Sequence, residues 1–194
     1  MATGVEAVFR FRTDSNFLTA NVFYTDYSNY IFETATGDEE DGLPVFQFVG
    51  QDASFKGFEV QAGQDIATMG AFDVKVDGLA EFVRAETDSG NLPRIPPLAG
   101  VAGLNLDNDT WALRAELDWA ASQNRTAEVE LPTDGFVLVN LFATYNFDLA
   151  EQDFSFKVSA NNLLDDEARQ HTSFLKDVLP LPGRNFKFSL AVDF

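Results

Sequence analysis

Two groups of side chains in this sequence have the types and spacing to do chemistry. The first is the run Asp38, Glu39, Glu40 and Asp41, whose carboxylate oxygens suit a hard divalent cation. The second surrounds His171, the single histidine. As a zinc ligand it would need partners, since such sites take three or four ligands; Asp165, Asp166, Glu167 and Asp177 are the carboxylates nearby in sequence. His171 and Ser173 also form an H-x-S pair, which an extended backbone would bring to one face as base and nucleophile. Each feature has a plainer reading. Like-charge runs are usually solvated, mobile loops, a lone histidine in a loop is usually exposed, and the H-x-S pair lacks a third residue to orient the base. His171, Asp177, Asp38, Glu39, Glu40 and Asp41 therefore stand as metal-ligand candidates, and the chain is read as a non-enzyme.

A third set of charges is distinguished by its periodicity. Arg10, Arg12, Glu59, Arg114, Glu116 and Lys157, with Glu6, Asp73, Lys75 and Asp118, occupy alternate positions in segments whose other parity is apolar. The pattern is plainest at the end of the chain, where Phe186, Phe188, Leu190, Val192 and Phe194 alternate with Asn185, Lys187, Ser189, Ala191 and Asp193. Strand side chains point alternately to opposite faces, so each such segment has one apolar and one polar side. Charges and amides on the polar side would fit a protein core poorly. They fit a barrel turned inside out, with lipid outside and a polar lumen inside, and the six charges named first are expected to face that lumen.

Composition agrees with strands. The 194 residues include 20 Phe but 2 Met and no cysteine, an aromatic-rich composition without a disulfide scaffold. A net charge of -18, from 31 acidic and 13 basic residues, excludes the basic footprint of a nucleic-acid binder. No apolar run is long enough for a membrane-spanning helix, which leaves spanning by strands open. Residues 1–5 lack the basic start and apolar run of a signal peptide, so an exported chain of this kind is expected to be part of a longer precursor.

About nine strand-like segments follow one another. They cover residues 5–11, 18–29, 55–66, 72–77, 98–106, 111–119, 137–147, 154–160 and 185–194. Trp111 and Trp119 share one parity and lie roughly 27 Å apart at about 3.4 Å per residue, near the height of an apolar band between aromatic girdles. Short turns at 13–16, 67–71, 107–110 and 149–153 alternate with long connections at 34–53, 86–97, 122–135 and 163–184. Bacterial outer-membrane barrels keep short turns periplasmic and long loops outside, which orients the sheet. Nine is an odd count, and bacterial barrels usually close with an even one; open edges cost several kcal/mol per unpaired backbone group in hydrocarbon. The expectation is an antiparallel up-and-down transmembrane β-barrel completed by further strands. A small self-closing passive porin or structural barrel is the alternative.

Four motifs give the pattern a family likeness. Gly57-Phe58-Glu59 enters a strand, NLPRIPPL spans residues 91–98, NNLLDD spans 161–166, and Pro182-Gly183-Arg184-Asn185-Phe186 leads to Phe194. In this order the chain resembles the C-terminal part of a TonB-dependent outer-membrane receptor, and HTSFLKD with PLPGRN in residues 169–185 is most similar to a zinc-uptake branch. The resemblance implies that residues 1–194 are about nine strands of a barrel of about 22, without the plug domain that such a barrel encloses. It implies the Gram-negative outer membrane, uptake of a metal, metal chelate or other small ligand, and energy delivered by TonB through the plug. It also implies contact with outer-membrane lipid, insertion by the barrel-assembly machinery with Phe194 as the terminal targeting residue, and no cofactor.

Overall fold

In the computed structural model, which describes residues 1–193, the chain forms ten strands: β1 (Ala2–Arg12), β2 (Asn16–Glu40), β3 (Leu43–Met69), β4 (Phe72–Thr87), β5 (Gly90–Asn91), β6 (Ala99–Asp107), β7 (Trp111–Ala120), β8 (Phe136–Leu149), β9 (Gln152–Asn161) and β10 (Asn185–Asp193). Phe194, expected to be a targeting residue, lies outside the described residues. One antiparallel sheet holds them all, in the order β1-β2-β3-β4-β6-β7-β8-β9-β10, with the short β5 paired to β4. No described helix is long and apolar enough to cross a membrane. The up-and-down order is what consecutive alternating segments joined by turns must give. Among the described residues β1 pairs only with β2 and β10 only with β9, so the sheet is an open wall rather than a closed barrel.

The register carries the two-faced pattern from strand to strand, because directly opposed residues share a face. On the apolar face, Phe11, Leu18, Ala62, Gly78, Ala102, Leu117 and Val139 form one continuous rung. That face is bare: Phe188 is 68% and Leu190 63% exposed, while Leu92 is, among the described residues, the one large apolar side chain that is fully buried. A water-soluble protein would hide this surface. Near the short turns the rings of Trp111, Tyr145, Phe147 and Phe154 stack in series with centroids 4.6 to 5.4 Å apart, as an aromatic girdle would.

The connection at 34–53 departs from the expected loop. It is a hairpin in which β2 and β3 stay paired out to Glu40 and Leu43, and Asp41 (φ 53°) and Gly42 (φ 80°) make the two-residue turn. Two positive φ values in succession define the turn whose twist matches paired strands, and Asp-Gly is among its preferred sequences. Asp38, Glu39 and Glu40 are therefore strand residues and Asp41 a turn residue, where the sequence had suggested a mobile loop. At about 3.4 Å per residue, 25- and 27-residue strands reach far beyond a hydrocarbon layer of about 30 Å.

A bulge between Tyr27 and Tyr30 reverses the parity of β2 above it. Asn29 takes φ 61° there, its N–H donates to Asp52 Oδ1 at 2.9 Å, and Gly50 leaves room for its side chain. The reversal turns Tyr30 and Phe32 to the polar side, where they join Phe55 and Ile95 around a small core of Ala53, Ala85 and Leu92.

Gly57 of the Gly-Phe-Glu motif marks a close approach. A Cβ here would lie 2.2 Å from the Phe82 carbonyl oxygen and 2.8 Å from the Phe23 ring. Gly57→Ala is expected to destabilise the wall by about 1–3 kcal/mol, the cost of overpacking. The check is the urea midpoint of the heat-modifiable band of the full protein reconstituted in lipid.

Candidate functional site

At the long-connection end, four segments enclose a cleft of about 650 Å³. The β2–β3 hairpin contributes Phe32, Glu33 and Phe46, residues 89–94 contribute Arg94, residues 126–131 contribute Glu130, and residues 173–177 contribute Phe174. Arg94 pairs with Glu33 and its guanidinium stands 3.8 Å over the Phe174 ring, a cation–π contact that holds three of the four segments together. Aromatic faces beside carboxylates and amides make a lining suited to a small ligand with both apolar and polar parts.

The floor of the cleft is a buried charge cluster centred on Glu130. Its Oε1 accepts from Lys176 Nζ at 3.0 Å and from the Arg94 backbone N–H at 3.0 Å, and Oε2 accepts from the Ala127 N–H at 3.1 Å. Glu130 and Lys176 side chains are 9% and 4% exposed, so neither charge is balanced by water. His171, 3% exposed, completes the cluster: Nδ1 is 2.9 Å from the Thr133 hydroxyl and 3.3 Å from Lys176 Nζ. With Nδ1 facing donors, the ring proton is assigned to Nε2, 3.2 Å from Glu130 Oε1 but without the alignment of a hydrogen bond. Burial, then the Lys176 ammonium, pushes the His171 imidazole below its ordinary range. Burial pushes the Glu130 carboxyl up, but Lys176 and the two backbone donors outweigh it and hold it below its usual value.

These surroundings correct the expectation of an exposed histidine. Neither Asp165, Asp166 nor Glu167 joins it; its partners are Lys176 in its own connection and Glu130 and Thr133 in another. Among the described residues, no three His, Asp or Glu side chains converge as a metal site. Asp177 lines the cleft, whereas Asp38, Glu39, Glu40 and Asp41 lie at the hairpin tip and do not. Glu130 and Lys176 were not singled out in the sequence, because an isolated Glu and Lys 46 residues apart carry no local signal. Ser173 donates to no histidine; its hydroxyl accepts from the Leu175 N–H.

The NNLLDD and PGRN motifs close the last connection onto the wall. Asn162, 2% exposed, takes φ 49°. Its N–H donates to Asn140 Oδ1 at 2.9 Å, its amide group donates to the Asp166 and Pro182 carbonyls, and its Oδ1 accepts from the Asp166 N–H. Asp165 Oδ1 accepts from the Arg184 N–H at 2.8 Å, and that bond and the Arg184 guanidinium hold its carboxyl below the usual range.

On the wall itself, Arg10, Arg12, Glu59, Arg114, Glu116 and Lys157 all fall on the polar face, as the rung Arg12, Phe17, Gly63, Asp77, Gly103, Glu116 and Asn140 shows. Arg114 is the best connected. It binds Asp77 with two nitrogens at 2.6 and 3.0 Å, Glu116 at 2.8 Å and Asn105 at 2.9 Å.

Comparison with known proteins agrees with this geometry. Residues 1–163 match the sequence family described as TonB dependent receptor-like, beta-barrel. Among solved structures, the chain is similar to the copper transporter OprC, with 22% identity over 100% of this chain and 30% of that one and a TM-score of 0.81. It is also similar to the FrpB iron transporter from Neisseria meningitidis, with 14% identity over 97% and 30% of the two chains and a TM-score of 0.69. A third is the ferric-catecholate import receptor Fiu from E. coli K12, with 18% identity over 97% and 27% and a TM-score of 0.64. At these identities the likeness is one of fold, and the chain spans less than a third of each neighbour's length.

Removing one member of the buried cluster leaves another uncompensated. Glu130→Gln is expected to loosen residues 122–135 and 163–184 by about 3–5 kcal/mol, read as faster hydrogen exchange there in the full protein; adding Lys176→Met should restore part of the protection. A pH effect follows from His171. Its folded value lies below the ordinary one near 6.5, so the unfolded segment takes up its proton first as pH falls. Protection of the two connections is therefore full above that value, declines as pH drops through it, and levels once the folded imidazole is also protonated. His171→Gln should flatten that decline.

Proposed function

This chain belongs to the TonB-dependent receptor-like β-barrel family, and we propose from that premise that it supplies barrel wall and external loops to an energy-coupled uptake receptor of the Gram-negative outer membrane. The observation that carries the reading is the position of the cleft, built from four connections at one end of a wall whose faces are apolar and polar. A ligand caught there would stand at the mouth of the space that the polar face lines. Arg10, Arg12, Glu59, Arg114, Glu116 and Lys157 would then face the lumen, where hydrated charges are tolerated and can contact a plug domain.

The remaining strands, the plug and its contact with TonB belong in this proposal to the rest of the receptor. So does closure of the edges at β1 and β10, since unpaired backbone in hydrocarbon costs several kcal/mol per group. Outer-membrane lipid would cover the apolar face, and the barrel-assembly machinery would insert the whole. The work is transport without covalent chemistry.

The ligand favoured by the lining is a metal chelate or a comparably sized small organic molecule. A cleft of about 650 Å³ falls within the range for small-molecule sites, and Phe32, Phe46 and Phe174 give it ring faces that a bare ion would not use. Asp38, Glu39, Glu40 and Asp41 at the exposed tip would raise the local cation concentration, and Asp177 would add a carboxylate at the cleft. Zinc, copper and iron are the metals to examine.

The test is cellular zinc, copper and iron by mass spectrometry in metal-limited cells with and without the full receptor, each with and without TonB. Expected is receptor-dependent accumulation of at least one metal that disappears without TonB and falls severalfold in Phe174→Ala. Accumulation indifferent to TonB would indicate a passive channel.

A further inference from the structure

On the apolar face of β2, β3 and β4, three successive rungs change chemistry abruptly. Val22, Phe58 and Phe82 form the first, with the two rings 5.9 Å apart. Tyr24, Lys56 and Arg84 form the next, and Asp26, Ser54 and Glu86 the one beyond. Rungs on one face are two residues, or about 7 Å, apart. The sequence of apolar, cationic and acidic rungs runs toward the tip of the β2–β3 hairpin, the end of the long connections.

Beside these rungs the wall has a notch. β4 pairs with β6 only as far as Glu81 and Ala99, and beyond that point residues 91–98 fill in beside β4. The gap left is about 170 Å³, with Phe82, Ile95, Pro97 and Leu98 among its lining and Arg84 and Arg125 at its polar side. Lys56, Arg84 and Arg125 thus gather around a wall position in a chain with 13 basic and 31 acidic residues. Glu86 engages two of them: its Oε2 lies 2.6 Å from an Arg84 terminal nitrogen and its Oε1 3.7 Å from Lys56 Nζ. The Asp26 carboxylate accepts from the Tyr24 hydroxyl at 2.7 Å.

We propose that this patch docks the phosphorylated glycolipid of the outer leaflet, its phosphates on Lys56, Arg84 and Arg125 and an acyl chain against Phe82 and the notch. The inference rests on the outer-membrane reading above. Cations at the rim of a hydrocarbon layer place their alkyl stems against apolar surface and their charged heads among anionic headgroups. A guanidinium presents a fork of donors that matches phosphate, and Arg84 keeps a terminal nitrogen beyond its two bonds to Glu86. Lys75 and Lys157, on the opposite face, have no access to lipid and serve as the internal control.

The experiment uses the full receptor in outer membranes and in mild detergent. Fractionation and heat-modifiability are read first, then binding of added diphosphoryl and monophosphoryl lipid A by native mass spectrometry. K56Q/R125Q leaves the Arg84–Glu86 pair intact and is expected to bind diphosphoryl lipid A about tenfold more weakly, the loss of one or two charge-assisted bonds. K56Q/R84Q/R125Q should lose more, K75Q/K157Q should match the unmodified protein, and monophosphoryl lipid A should bind less tightly than the diphosphoryl form. Equal binding by K56Q/R125Q and the unmodified protein, or an equal loss in K75Q/K157Q, overturns the proposal while leaving the uptake reading intact. Absence of the protein from the outer-membrane fraction overturns both.

Discussion

Backbone hydrogen bonding in a medium without water is the constraint from which the rest of this structure descends. Each strand inside hydrocarbon must give its N–H and C=O groups to a neighbour, because an unpaired group there costs several kcal/mol. Up-and-down pairing of consecutive segments satisfies this, with short turns at one end, long connections at the other and no crossovers among the described residues. Once strands are imposed, period-two alternation delivers one lipid face and one polar face without further design. The same constraint makes β1 and β10, each paired on one side, the places where a neighbour's backbone is required. Beyond the membrane it lapses, and there the chain bulges, reverses parity and folds connections across the polar side.

In that outer region, cohesion passes from backbone to side chains. Glu130 does for the connections what the ladder does for the wall, receiving donors from Arg94, Ala127 and Lys176. A carboxylate and ammonium taken from water are costly singly, and their attraction recovers that cost only when remaining bonding capacity is also filled. Two backbone N–H groups provide that filling for Glu130. Asn162 plays the neutral counterpart, satisfying carbonyls and N–H groups at residues 140, 166 and 182. A small apolar core could not do this work, since Ala53, Ala85 and Leu92 are its buried members.

The wall was legible because alternation is a local property. Segments such as 111–119 and 185–193 display both faces in the sequence itself, and the short turns fell where strands reverse. The hairpin tip was also locally encoded, but two signals competed: Asp41-Gly42 specifies a tight turn, while the run Asp38 to Asp41 suggests solvated, mobile chain. Pairing decided in favour of the turn, since Glu39 and Glu40 pair with Pro44 and Leu43 across the hairpin and residues 36–38 form a bulge between that pairing and the ladder below. Nothing local could have placed His171. Its burial depends on Thr133 and Glu130, 38 and 41 positions earlier, and on a lysine whose side chain would ordinarily seek water. NNLLDD and PGRN were visible as motifs, yet only their meeting reveals them as a structural latch.

The cleft and the cluster beneath it form a mechanical unit. Arg94 contributes its backbone N–H to Glu130 below and its guanidinium to Glu33 and Phe174 in the cleft wall. A ligand that displaces the guanidinium from Phe174 would therefore pull on the same residue that anchors the buried carboxylate. Because Lys176 donates to that carboxylate and belongs to the connection leading to β10, a disturbance at the cleft has a short covalent and ionic route to the wall. Loops tied only by apolar contact could shift independently. Loops tied through one saturated acid are constrained to shift together.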